Sequence, residues 1–309
     1  MMRGAVLDSD APLYGRATES FAVRPLRPGY LEDVFTVSAP WELVSAYALW
    51  GGMPRYWELA EPFGADFDSA LDALVLDPSG PLHDEPNKLL LEETPSAVAL
   101  RPLLDVIGAG AHRVSKIGAR LGRHASSLSR PLSALMETDL VLREIPFGSD
   151  PRSGKRSLYR IADPFFRMWF RVVPPHRPAL AETPRRTRLG YWRRYRTWLE
   201  FTAWEELCRM AVPFLHVNDG PLADLGPWEP ARRYWHGNDP EYDIVARSVD
   251  GARVLVGEAH CKPATLRHAS LSGCRGKRSD KGAVCSRRGR HARCRRTRGD
   301  DSSYKSDDW

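Results

Sequence analysis

Between Leu100 and Ile161 the chain repeats one spacing three times and then changes period, and this narrows its choice of fold more than anything else in it. Leu100, Leu103, Leu104 and Ile107 fall at helical spacing and are followed by Gly108 and Gly110. Val114, Ile117 and Leu121 repeat the spacing and stop at Gly122; a third helix starts near Ser126 and Ser127 and runs through Leu128, Leu132 and Leu135. Residues 140–145 (LVLREI) then read as a strand, residues 148–156 as a polar, Gly-rich tip, and Leu158-Tyr159-Arg160-Ile161 as a second strand. Three helices closed by a hairpin is the element order of a winged helix-turn-helix.

The flanking segments are also mainly helical. Residues 41–60 predict two helices broken at Gly51-Gly52-Met53-Pro54, because proline lacks an N–H and disfavours helix in the residue before it. Residues 67–94 predict another pair, split at 77–81 (DPSGP). Residues 163–173 (DPFFRMWFRVV) form an aromatic-rich core segment, and 185–209 one long basic-aromatic helix or two short ones. Residues 241–262 predict a hairpin, with Asp243-Ile244-Val245-Ala246 as one strand, a turn at Asp250-Gly251, and Val254-Leu255-Val256 opening the next. The fold class expected is α+β, mostly α with a small β component.

At 42% hydrophobic residues, with ten each of Trp, Tyr and Phe, the chain has ample material for packed cores. No stretch approaches the roughly 18 to 20 apolar residues of a membrane span, and Asp8 and Asp10 lie where a signal peptide needs its apolar centre. A cytoplasmic protein without a membrane partner is expected. Charge is unevenly spread. Residues 262–309 hold 14 Lys and Arg against 5 acids, a net +9 beside the whole chain's +6, so residues 1–261 carry −3. Cys274, Cys285 and Cys294 share that tail, Cys208 and Cys261 stand singly, and no close cysteine pair suggests a disulfide framework or a zinc site.

Three constellations could carry chemistry. The nearest approach to a Walker loop, residues 148–156 (GSDPRSGKR), has one residue too many between its glycines and Arg156 where the magnesium-binding hydroxyl belongs. Leu89-Leu90-Leu91-Glu92-Glu93 imitates the acidic end of a Walker B strand but reads better as an amphipathic helix. The second constellation is Asp243, Glu258 and His260, with Glu205 upstream. Carboxylates on adjacent strands can grip a hard cation such as magnesium, and a basic group beside them can orient the attacking water; the same spacing also suits a half-exposed hairpin. The third is residues 184–198 (PRRTRLGYWRRYRTW), whose arginines alternate with aromatics. Arginines that pair with phosphates and rings that stack on bases would make a nucleic-acid surface of it. A helix with its rings in the core and its arginines solvated is the alternative. Arg186, Arg193 and Arg196 here, and Arg130 in the third helix of the helix-turn-helix, are the candidate nucleic-acid contacts.

Taken in order, residues 12–26 (PLYGRATESFAVRPL), 47–59 (YALWGGMPRYWEL), 140–148 (LVLREIPFG), 158–171 (LYRIADPFFRMWFR), 201–209 (FTAWEELCR) and 242–259 (YDIVARSVDGARVLVGEA) resemble the archaeal-type ATPase family. That resemblance implies a P-loop domain of the signal-transducing type, a helical lid, a winged helix and a C-terminal α/β domain similar to PD-(D/E)xK restriction-type nucleases. It divides the chain into a trailing P-loop remnant (1–30), lid (31–95), winged helix (96–162), nuclease-like domain (163–263) and tail (264–309). It implies that Gly51, Gly52 and Pro54 form the lid turn that packs on adenine, and that Arg16 follows the sensor strand within reach of phosphate. Glu205, Asp243 and Glu258 match the acidic metal positions, with Mg as the ion, and His260 stands at the catalytic lysine's place. The Walker A and B strands have no counterpart here, so ATP is expected for the family and not for this chain alone. The function this implies is the C-terminal part of an ATP-binding, nucleic-acid-associated ATPase, with DNA and an intact ATPase subunit as partners. A magnesium-dependent nuclease-like module and a non-catalytic regulatory remnant are the alternatives.

After Pro263 the helix and strand periods stop. Leu266, Leu271 and Val284 are the branched aliphatics left, so the tail is expected to be disordered. Its scattered Arg and Cys fit a shifted reading frame, with a basic nucleic-acid arm as the competing explanation.

Overall fold

The computed structural model describes residues 19, 23–37, 39–93, 99–152, 154, 156–215, 223–237, 239–260 and 270–275. It is α+β, mostly helical with small antiparallel sheets. Arg16, Cys261, Lys262, and the tail apart from 270–275, lie outside the described residues.

The helices are α1 (Leu31–Val34), α2 (Pro40–Trp50), α3 (Pro54–Ala60), α4 (Phe67–Leu71), α5 (Glu85–Glu93), α6 (Arg101–Gly108), α7 (Val114–Leu121), α8 (Ser129–Glu137), α9 (Pro164–Glu182) and α10 (Arg185–Ala211). The strands β1 (Val141–Glu144) and β2 (Leu158–Ile161) form a two-stranded sheet. A second sheet has the order β3-β4-β5-β6, from β3 (Arg232–Tyr234), β4 (Tyr242–Arg247), β5 (Arg253–Glu258) and β6 (Ser270–Arg275). The breaks expected at Gly51–Pro54, Gly122 and Gly251 are all present, and 185–209 is one helix. Pro164 occupies the first turn of α9, where its missing N–H costs nothing, and the Asp163 carboxylate caps that turn by accepting from the Phe166 N–H at 2.9 Å.

One reading changes. The tail is not without regular structure throughout: Ser270–Arg275 pairs antiparallel with β5 from Arg253↔Arg275 to Glu258↔Ser270. A strand edge satisfies backbone N–H and C=O groups whatever the side chains, so poverty in apolar residues does not forbid it. The chain divides into two compact units, each drawn from non-consecutive segments. One unit comprises 1–108, 129–141 and 161–203; the other comprises 109–128, 142–160 and 204–309. Compactness follows which elements pack, not their order along the chain.

The first unit is built on aromatic packing. Trp50, Trp57, Phe165, Trp169 and Trp192 are essentially buried, Tyr56 lies 4.3 Å from Phe165 between ring centres, and Phe35 meets Phe67 edge-on at 5.8 Å. The Trp169 indole N–H donates to the His83 carbonyl at 2.8 Å, and His83 Nδ1 lies 2.8 Å from the Val75 carbonyl. Between α4 and α5 the chain makes a π-turn, Asp72–Leu76, closed by Asp77 N–H donating to Asp72 C=O at 2.8 Å. This wider turn lets carboxylates five residues apart serve one guanidinium. Arg188 of α10 donates from Nε and Nη2 to the two oxygens of Asp72 (2.8 Å each) and from Nη2 to Asp77 (2.9 Å).

In the second unit, Ile244, Ala246 and Leu255 project from one face of the sheet onto Trp228 and Val212, with Cys208 against them. Alternation along β4 and β5 makes this face apolar. The register Ile244↔Gly257 places Asp243 opposite Glu258 one residue further along the ladder.

Candidate functional site

The residues singled out in the sequence fall into four groups. In the turn at 51–54, Gly51 and Gly52 are buried and Pro54 is exposed. Gly51 has φ +59°, and a Cβ there would sit 2.7 Å from Asp163 Oδ2; one on Gly52 would sit 2.5 Å from the Leu26 carbonyl oxygen. Leu26 N–H donates to Gly52 C=O at 2.8 Å, and the Trp57 indole donates to Gly51 C=O at 3.0 Å. The glycines are therefore needed for the close approach of the chain's own residues 25–26 and 163–164.

The arginine-aromatic stretch resolves the same way. Arg193 lies 2.8 Å from Asp68, Arg196 pairs with Glu200 at 2.8 Å, and Arg185 and Arg188 both lean on Asp72. Trp192 is buried and its indole reaches Asp68 at 3.2 Å. Carboxylates from 68–77, and Glu200 for Arg196, thus pair with these cations within the protein itself. Arg186 remains exposed.

Glu205, Asp243, Glu258 and His260 all belong to the second unit. Arg209 follows Glu205 by one helical turn, donates from Nη1 to the Asp243 carbonyl at 3.1 Å and lies 3.7 Å from Glu205 Oε2. Asp243 Oδ2 accepts from the Ala259 N–H at 3.1 Å. Burial pushes the Glu205 carboxyl above the usual range; Asp243 adds to the rise, while Arg233, Arg209 and Arg160 oppose it. Glu205 and Asp243 are thus electrostatic neighbours. Glu258, although opposite Asp243 on the ladder, turns outward to His260, whose Nε2 is 2.8 Å from Glu258 Oε2, with the two side chains 49% and 73% exposed. Strand β5 ends at Glu258, so His260 is not on it.

A magnesium ion wants near-octahedral oxygens at about 2.0–2.1 Å. Among the described residues, no group of three or more His, Cys, Asp or Glu is disposed to hold a metal ion. The expected metal set does not fit: one of its three carboxylates is turned to histidine, and an arginine stands beside the other two.

The fourth group is one that the sequence reading reached only at Arg130. From 106 to 136, between Asp105 and Glu137, there is no Asp or Glu, while Arg113, Lys116, Arg120, Arg123 and Arg130 all occur. In the second unit, helix α7 buries Ile117 and Gly118 and exposes Lys116 and Arg120, one turn apart; Arg113 and Arg123 are exposed at its two ends. Among the described residues no carboxylate pairs with these four, and the one side-chain bond from this set is Arg120 Nη1 donating to the Ala109 carbonyl at 3.2 Å. Like charges at i,i+4 cost a helix about 0.2–0.5 kcal/mol, and here no acid offsets them. Gly122 (φ +61°) ends the helix, and beyond it His124 Nδ1 lies 2.7 Å from Ser126 Oγ, fixing the turn that follows. In the first unit, Arg130 of α8 is exposed too. The missing signal was a 31-residue run without acids, readable by counting charges in windows.

The hairpin that carries the Gly-rich tip is fastened within the same unit as α7. Phe147 N–H donates to Arg233 C=O at 2.8 Å, Arg247 lies over the Phe147 ring at 5.8 Å, and Arg160 pairs with Glu144 at 2.8 Å. Residues 148–156 therefore join two strands of a hairpin. A phosphate-binding loop would instead run from a strand into a helix.

No family model matches the chain, and no solved structure matches it. Over 182 residues, 59% of the chain, it is 30% identical to an uncharacterized protein of Methanocaldococcus jannaschii, and the match covers 40% of that protein's length.

Proposed function

We propose that this chain is the lid, winged-helix and nuclease-like portion of an archaeal-type ATPase, that it associates with nucleic acid through the phosphates, and that it neither hydrolyses ATP alone nor cuts its ligand. The observation that carries the reading is the acid-free segment around α7, where Arg113, Lys116, Arg120 and Arg123 stand exposed with no carboxylate among the described residues to neutralise them. Elsewhere the same residue type is consumed internally, as at Arg188 and Arg193. The order of three helices (α6, α7, α8) followed by the β1–β2 hairpin supports the winged-helix assignment. Absence of a Walker loop from the sequence supports the lack of ATP turnover.

Contacts made by Arg and Lys to phosphate release counterions, so binding should weaken steeply with salt and discriminate little between sequences. The test is fluorescence anisotropy with a labelled duplex DNA across a salt series. Wild type should show a log K against log salt slope that falls by about two in Lys116→Glu/Arg120→Glu, roughly one per lost phosphate contact. An unchanged slope in that variant would assign any binding to the basic tail, and no binding at low salt would overturn the proposal.

A further inference from the structure

Three guanidiniums meet three carboxylates where α10, the hairpin and the sheet of the second unit come together. Arg160 lies 2.8 Å from Glu144, Arg233 3.8 Å from the other oxygen of Glu144, and Arg209 3.7 Å from Glu205. Asp243 is the third acid, bonded through its carbonyl to Arg209 and through Oδ2 to the Ala259 N–H. Formal charge at this centre is balanced by the protein itself. Arg209 is 9% exposed, and its Nη2 finds no acceptor among the described residues. Its guanidinium thus lies beside the Glu205 carboxylate and on the Asp243 main-chain carbonyl, with only part of its bonding capacity used, which suits a group held for its charge.

A divalent ion bound by Glu205 and Asp243 would bring two positive charges beside a guanidinium already held 3.7 Å from Glu205 and on the Asp243 main-chain carbonyl, and it would have to displace that guanidinium. Removing a buried arginine from its partners leaves an uncompensated charge, an unfavourable change. The ion would gain few ligands in exchange, since Glu258 faces His260.

We propose that Arg209 is the resident cation of this acidic centre, taking the place a divalent metal would otherwise fill, so that the sheet unit is complete without metal and acquires a metal site only when the arginine is removed. This stands independently of the nucleic-acid reading, which concerns α7.

The test uses the full chain, stripped with chelator and dialysed, with Mn²⁺ or Mg²⁺ alone as probe. Wild type should keep the same melting temperature with and without the ion at matched ionic strength, and calorimetric titration should give no saturable binding. Arg209→Met should melt lower in chelator, recover on adding Mn²⁺, and bind Mn²⁺ at least ten-fold more tightly than wild type; Asp243→Asn in that background should abolish the recovery. Arg209→Lys, which keeps a charge, should stay indifferent to metal. A wild type stabilised by Mn²⁺, with the shift lost in Asp243→Asn, would overturn the proposal, and this arm needs no foldable Arg209 variant. A folded Arg209→Met that ignores Mn²⁺ would overturn it as well.

Discussion

Arg188→Met should be among the most damaging substitutions outside the aromatic core. Its guanidinium, 13% exposed, makes three bonds of 2.8–2.9 Å to Asp72 and Asp77 and a fourth to the Thr183 carbonyl at 3.1 Å. Asp72 is only 7% exposed. Deleting one partner of a buried pair strands the other charge, at a typical cost of about 3–5 kcal/mol. Asp77, 36% exposed, can rehydrate, so the lower end applies. For a chain of this size about 3 kcal/mol corresponds to a melting shift of roughly 5 °C. Replacing both members, Asp72→Leu with Arg188→Met, removes the stranded charge and should return at least ~1.5 kcal/mol of that loss, since apolar replacements of buried pairs are often neutral. Urea denaturation followed by tryptophan fluorescence reads this directly, because Trp192 lies one turn along α10 from Arg188 and is buried. A loss below about 1 kcal/mol for the single variant, or a double variant worse than either single one, would refute the reasoning. The pair would then behave as an ordinary solvated ion pair.

Other outcomes follow from the geometry. Gly108→Ala in α6 would ordinarily strengthen a helix, but its Cβ would lie 2.4 Å from Phe170 Cβ; thermal melting should show a loss of about 1–3 kcal/mol where propensity alone predicts a gain. Asp163→Ala removes the α9 cap and should cost about 1 kcal/mol, measured by urea denaturation. The Glu205 carboxyl is held above its unfolded range, chiefly by burial, so the folded state takes up its proton first. Its contribution is fully present below the ordinary glutamate pKa and is lost as pH rises through the raised one. Glu205→Gln should therefore gain melting temperature relative to wild type between acid and neutral pH, and a constant difference across that range would count against the assignment. Purified protein should give no magnesium-dependent ATP turnover in a phosphate-release assay.

The local code was legible and the long-range charge pairing was not. Apolar spacing and the Gly and Pro breaks located α2, α3, α6, α7, α8 and both hairpins, because those features act within one or two turns of the chain. The partners of Arg188 and Arg193 lie 111 to 125 residues away in sequence. A run of arginines reads identically whether distant aspartates neutralise it or leave it bare. Glu205 and Asp243 act on each other electrostatically, and Arg209 beside them stands in the same FTAWEELCR segment, but its contact with Asp243 spans 34 residues and leaves no local signal. Strand β3 escaped notice because three residues, Arg232-Arg233-Tyr234, carry no alternation to detect, and β6 because its pairing is a property of the backbone.

The interleaving of the two compact units has a consequence for how the chain is made. The polypeptide crosses from one unit to the other five times, at 108/109, 128/129, 141/142, 160/161 and 203/204. On a ribosome adding roughly 10 residues per second, about ten seconds separate the emergence of Gly108 from that of Ala203. Until then the first unit lacks α9 and most of α10, so Trp50, Trp57 and Tyr56 have no finished core to enter. The fragments 109–128 and 142–160 wait longer still, until β4 and β5 follow. Neither unit can be completed early and set aside while the other is synthesised. The nascent protein presents unburied aromatic surface for most of its translation, and a chaperone that holds such surface would find its longest engagement here.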